Sequence, residues 1–305
     1  MRILISTLLL LALPSAARAV TVCDATWVDS ARERAVPVRI RMPDGRGKIP
    51  VVLFSHGLGG SLDSGTDWTQ AWAEAGIASV TLQHPGSDRG ILDTGITTGM
   101  SPMQLVARVR DVHFVIDELA RRRSEGKCDL ARIDLAKLGM SGHSFGAITT
   151  QAVSGQHYPL AAMQGSADPR IVAAIAFSPS PPMRGHDDAG AFGTVRIPFL
   201  SVTGTEDVVP LTPQISAADR QRPFRAMPPG RKYLLVLAGA NHMQFNGQDV
   251  LRNGMAPDPH VRAVTIAVTT AFWKATLMHD AKAADWLARG GPQEILTAGD
   301  GFETK

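Results

Sequence analysis

The chain is poor in cysteine, tyrosine and charge. Its 305 residues hold two cysteines, Cys23 and Cys128. They are too far apart for a metal pattern, and the chain has no C-x-x-C or H-E-x-x-H, so no metal ligand set is expected. Charged residues make up only 19% against 44% hydrophobic, which argues for a folded chain with a sizeable core. The formal charge is +3, from 31 basic and 28 acidic residues. Taking away Arg2 and Arg18, which belong to an N-terminal export segment, leaves 29 basic against 28 acidic residues. That balance gives no electrostatic case for nucleic acid as a partner. After the N-terminus no apolar run reaches membrane-spanning length, so no membrane span is expected.

Residues 1–19 read as a secretory signal peptide. Arg2 supplies the positive start, Ile3 to Leu13 the apolar run, and Ala17-Arg18-Ala19 a small-x-small cleavage site. The expected product is a secreted or periplasmic protein. Residues 20–305 are expected to form a single catalytic domain.

Within that domain, apolar runs of strand length alternate with helical patterns. Ala25 to Val28 and Val36 to Met42 alternate as two short strands. Ile49 to Ser55, Ile77 to Leu82, Ile133 to Met140, Ile171 to Phe177, Ile197 to Gly204 and Lys232 to Ala238 read as buried strands, the last of them closing the sheet. Helices are predicted over Asp67 to Ala75, from the Ser101 N-cap to Arg123, and over Val261 to Met278. Residues 83–100 and 178–195 read as long loops, and Asp285 to Lys305 as a trailing end. Strands that alternate with helices predict an α/β fold, with a mostly parallel sheet covered by helices on both faces.

The chemistry centres on Gly142-His143-Ser144-Phe145-Gly146, which has a strand before it and a helix after it. This is G-x-S-x-G in the context it requires, a sharp turn that exposes the serine hydroxyl. The bland alternative is a glycine-rich turn with an incidental serine. In a parallel sheet, ligands meet the carboxyl ends of the strands. The other strand ends carry His56-Gly57-Leu58, Asp207 and His242. The order Ser144, Asp207, His242 is that of a hydrolase triad, in which the histidine activates the serine and the carboxylate orients the histidine. Glu206, Asp187 and Asp188 are other candidates for the acid. His56 and His143 read as structural within their motifs, and His113 as a core or boundary histidine. Oxyanion stabilisation needs two backbone donors. Phe145 follows the nucleophile, and Leu58 lies in the glycine-rich turn after Ile49 to Ser55. Substrate contacts are expected from Gly59, His84 and the two long loops.

These residues resemble the α/β-hydrolase superfamily. More narrowly, they are similar to predicted dienelactone hydrolases and platelet-activating-factor acetylhydrolase-like serine esterases. The resemblance spans most of the chain. It rests on Asp29 to Arg34, Phe54-Ser55-His56-Gly57-Leu58-Gly59, the helix around Arg110-Asp111-Val112, and Gly142 to Gly146. It implies that Leu58 and Phe145 supply the oxyanion amides. The animal acetylhydrolases place their acid one strand earlier, where this chain has Phe177-Ser178-Pro179, so Asp207 takes that role here. True dienelactone hydrolases use cysteine where this chain has Ser144. Gly204 to Pro210 is also similar to secreted polyester hydrolases. The expected activity is carboxylic-ester hydrolysis through an acyl-enzyme, on a small-molecule or polymeric ester, with no cofactor. A peptidase, an acyltransferase and a non-catalytic binding protein are the alternatives on the same fold.

Export permits a disulfide between Cys23 and Cys128. In the strand order that the resemblance implies, four spacings, about 19 Å, separate the strands they precede, whereas a bridge needs Cα atoms within roughly 7 Å. A bridge and two quiet thiols both remain open.

Overall fold

Val51-Val52-Leu53-Phe54 sends alternate side chains to opposite faces of one sheet. Val51 and Leu53 join the core on one face, and Val52 and Phe54 the core on the other. A strand apolar at every position therefore lies in the middle of a covered sheet. The structure, a computed structural model, describes residues 18–91, 95–183, 185–248 and 257–305. Residues 1–17 of the expected signal peptide lie outside them.

The strands are β1 (Val20–Asp29), β2 (Arg34–Pro43), β3 (Ile49–Ser55), β4 (Ala78–Leu82), β5 (Ile133–His143), β6 (Ile171–Phe177), β7 (Phe199–Glu206), β8 (Lys232–Asn241) and β9 (Gly301–Thr304). Among the described residues the helices are α1 (Thr66–Glu74), α2 (Ile96–Gly99), α3 (Pro102–Arg121), α4 (Phe145–Val153), α5 (Asp188–Phe192), α6 (Arg222–Ala226), α7 (Pro259–Leu277) and α8 (Ala281–Ala288). The sheet order is β1-β2-β4-β3-β5-β6-β7-β8-β9. Strands β4, β3, β5, β6, β7 and β8 run parallel, while β1, β2 and β9 make antiparallel pairs at the edges.

Helices α3 and α4 cover one face of the sheet, and α1 and α7 the other. Ser101 caps α3 by accepting from the Gln104 N–H, with Pro102 in the first turn. Trp72 of α1 donates to Thr269 of α7 at 3.0 Å and meets Trp273 edge-on. That pair ties the two helices together over the sheet. Among the described residues, no helix is long and apolar enough to cross a membrane.

Three predicted features differ. Residues 83–100 are not all loop, because they hold the short helix α2 (Ile96–Gly99). Residues 178–195 are not all loop, because Asp187 accepts from the Gly190 N–H and caps the short helix α5. The C-terminus does not trail away either. It forms α8 and then β9, which pairs with β8, so β8 is not the edge of the sheet. Phe302 stacks on Tyr233 and Glu303 pairs with Arg225. Four residues carry too little periodicity to announce a strand, and only their partners make one.

Cys23 and Cys128 are joined, with Cα atoms 6.2 Å apart. Cys23 is the fourth residue of β1, well separated from β5 in the sheet. The distance is closed by the segment after α3, which docks on β1 before turning to β5. Trp27 of β1 donates to Glu125 at 2.8 Å, and the Arg122 guanidinium lies 4.9 Å from the Trp27 ring. The bridge spans a separation of 105 residues, worth up to ~4.7 kcal/mol in the chain-entropy model. Reduction is therefore expected to lower the urea midpoint sharply. An unaltered midpoint would show that the bridge carries no stability.

Candidate active site

The turn at Ser144 exists because two glycines let three segments nearly touch. A Cβ on Gly146 would lie 1.8 Å from the Ser55 carbonyl oxygen, and one on Gly142 2.4 Å from the Gly146 carbonyl. No side chain fits at either position. Between them Ser144 takes φ 57° and ψ −114°, a conformation that costs about 1–3 kcal/mol. Its N–H donates to the Phe177 carbonyl at 3.0 Å, and its own carbonyl accepts from Ile148 of α4. The strained residue is thus held from both sides, with its side chain in a cleft.

Asp207 follows β7 and His242 follows β8. The strand ends converge at Gly204, where a Cβ would meet the Ala240 carbonyl at 2.1 Å. His242 Nδ1 lies 2.7 Å from Asp207 Oδ1. The carboxylate only accepts, so Nδ1 carries the proton and Nε2 offers its lone pair. Thr203 donates to Asp207 Oδ2 at 2.7 Å, and Arg220 Nε lies 2.9 Å from Oδ1. Burial alone would raise the Asp207 carboxyl. The His242 hydrogen bond and the Arg220 charge outweigh it, and the group stays below the ordinary carboxylate value. Asp207 is fully buried, whereas neighbouring Glu206 is exposed. Asp187 caps α5 and Asp188 pairs with Arg222, so neither is bonded to His242.

His143, beside the serine, also acts on His242. Its Nε2 lies 2.9 Å from the His242 carbonyl oxygen, and the two rings are 4.6 Å apart. Burial, and then the neighbouring His242, hold His143 neutral, well below its ordinary pKa. On the far side, Trp68 of α1 donates to the Phe245 carbonyl at 3.1 Å and anchors the turn that carries His242.

The other half of the site is the His56-Gly57-Leu58-Gly59 turn. A Cβ on Gly57 would stand 3.4 Å from the Ser144 Cβ, so this turn runs directly past the serine. His56 Nε2 accepts from the His84 backbone N–H at 2.9 Å, which leaves the proton on Nδ1. Nδ1 lies 2.6 Å from the Gly57 carbonyl. In a trans peptide the Leu58 N–H points opposite to that carbonyl. Neither the Leu58 nor the Phe145 N–H meets a protein acceptor among the described residues. Both residues, together with Ser144, His242 and Gly59, line one cleft of about 970 Å³. Apolar walls come from Ile91, Ile148, Pro181, Met183 and Leu211, and Gln151 and Tyr158 add polar groups.

One expected contact is corrected. His84 does not face the cleft, because it is fully buried behind β3. Its Nε2 lies 2.9 Å from Ser55 Oγ and its Nδ1 3.0 Å from Asp111 Oδ2. Asp111 is also bound by Arg32 and Arg34. Burial would raise the Asp111 carboxyl, but hydrogen bonds from His84 and Arg34 hold it well below its ordinary value. His84 is pushed down to about 4, by burial first and then by the Arg108 charge. Between pH 6.5 and about 4 the unfolded chain therefore binds a proton that the folded chain refuses. Stability falls as pH drops through that window, by roughly 3 kcal/mol for this group. Urea unfolding at pH 7 and pH 4.5 should show a smaller difference for His84→Gln than for the wild type. Equal differences would mean that His84 is not held neutral.

The buried Arg108, His143 and Arg220 were not singled out as functional from sequence. Arg108 and Asp111 did leave a signal: two charges, three residues apart, on the apolar stripe of Leu105, Val109 and Val112.

No family model matches the chain, and no curated protein matches it. Among solved structures it is similar to a ferulic acid esterase from Streptomyces cinnamoneus. The superposition has a TM-score of 0.59 at 20% identity, covering 88% of this chain and 93% of that one. Together with the sheet order and the covered faces, this likeness shows that the chain has the α/β-hydrolase fold.

Proposed function

We propose that the chain is an exported serine carboxylic-ester hydrolase with one catalytic domain over residues 20–305. The main support is the Asp207–His242 hydrogen bond at the cleft where Ser144 sits in its strained turn. Ser144 Oγ attacks the ester carbonyl while His242 Nε2 takes its proton. The Leu58 and Phe145 N–H groups receive the negative charge that develops on the carbonyl oxygen. The His242 imidazolium, stabilised by Asp207, then protonates the leaving alcohol. Water, deprotonated by His242, attacks the acyl-enzyme and releases the acid. The esterase fold neighbour favours ester chemistry. The apolar cleft favours a substrate with an apolar acyl or alcohol part. The Cys23–Cys128 bridge favours an oxidising compartment, as the export segment does.

A panel of chromogenic esters of increasing acyl length, each with its matched amide, tests this reading. Ester hydrolysis far faster than amide hydrolysis is expected. Preferred cleavage of the amides would make the chain a peptidase. Acyl transfer to an added alcohol in place of hydrolysis would make it an acyltransferase, and no turnover would leave a binding protein.

A further inference from the structure

Helix α3 carries a cation where its packing calls for an apolar side chain. Arg108 is fully buried among Leu105, Val109 and Val112. Burying a guanidinium is costly unless every donor is used. Asp111, three residues on, is engaged by Arg32, Arg34 and His84, and Arg108 makes none of the ion pairs found among the described residues. Its partners are neutral. Nε donates to Thr149 Oγ1 at 2.9 Å and Nη1 to Ser87 Oγ at 2.8 Å. Nη2 donates to Ser55 Oγ at 2.9 Å and to the His56 carbonyl. The guanidinium also lies 4.5 Å from the centre of the Phe145 ring.

These partners share one property: they belong to, or hold, the two segments that carry the oxyanion donors. The His56 carbonyl fixes the peptide plane just before the Gly57–Leu58 plane. Ser87 accepts the Gly59 N–H on its own carbonyl at 2.8 Å, which fixes the plane just after it. The donor plane between them is held by the His56 ring. On the other segment, Thr149 Oγ1 lies 3.0 Å from the Phe145 carbonyl, and Phe145 is stacked on Arg108 itself. One side chain thus grips β3, the loop after β4 and the first turn of α4.

We propose that Arg108 is the positioning residue of the oxyanion hole. It sets the Leu58 and Phe145 N–H groups at a single separation, so that the hole is formed before substrate arrives. It touches no substrate, and it acts through both donors at once. Burial lowers Arg108 only to about 9, so the side chain keeps its proton and its full set of donors at neutral pH.

This assignment rests on the esterase reading, so the first arm measures ester turnover of the wild type. The second arm is Arg108→Lys, which keeps the charge but loses the fork and the ring stack. Its kcat per folded site is expected to fall about 100-fold, comparable to losing one oxyanion donor, with KM within about threefold. An alkyl boronic acid, which bonds to Ser144 as a tetrahedral anion, should lose affinity by the same factor. A merely structural Arg108 would lower the folded fraction and leave both quantities unchanged per folded site, which overturns the proposal. If Arg108→Lys does not fold, Thr149→Val decides, since it keeps the size and removes one anchor. A matched loss of about tenfold in kcat and boronate affinity supports the clamp, and no loss overturns it. Absence of wild-type turnover overturns the esterase reading and this proposal with it.

Discussion

Ser144→Ala is expected to lower kcat by on the order of 10^6-fold, down to the small acceleration left by binding and the oxyanion donors. The mutation removes one oxygen and nothing that holds the turn. The backbone contacts of residue 144 to Phe177 and Ile148 persist, and so do Gly142 and Gly146. Urea unfolding should shift by no more than about 0.5 kcal/mol. A variant that still turns over ester at a tenth of the wild-type rate, once trace contamination is excluded, removes Ser144 from the mechanism.

The second large effect is expected at Asp207. With a carboxylate there, the His242 proton stays on Nδ1 and Nε2 keeps its lone pair. An amide can offer an N–H to Nδ1 and reverse the tautomer. Asp207→Asn should therefore cost about 10^4-fold in kcat. It should also cost stability, because Arg220 is nearly fully buried and Asp207 is its ion-pair partner. Breaking a buried pair from one side costs roughly 3–5 kcal/mol. Glu206→Gln is the control. Glu206 is exposed, and its activity should stay within about twofold of wild type. If Glu206→Gln is the damaging change and Asp207→Asn is not, the acid lies one residue earlier.

Legibility followed the range of the interactions. Ser144, Leu58 and Phe145 could be named from sequence because each belongs to a short motif whose geometry is local. Asp207 and His242 followed from strand ends and chain order. Chain order favours Asp207 over the adjacent Glu206, and burial separates the two further, since Asp207 is buried and Glu206 is exposed. Arg108 escaped because its meaning lies in partners such as Ser55, 53 residues away. His84 was misplaced for a related reason. It follows a strand that ends at the site, but its ring turns inward to Ser55 and Asp111. The disulfide was undecided because counting strands in a flat sheet omits the segment that α3 delivers onto β1. Strand β9 was missed because four residues reveal nothing until Tyr233 and Arg225 receive them.

Covalent capture of the nucleophile tests the central claim most directly. The protein is treated with an alkyl phosphonate that reacts with activated serines, then digested and read by mass spectrometry. One adduct per chain is expected, on Ser144, with loss of activity in step with labelling. It should be absent in Ser144→Ala and strongly slowed in Asp207→Asn. An adduct on another residue that tracks the loss of activity would contradict the account, as would full activity in a protein labelled at Ser144.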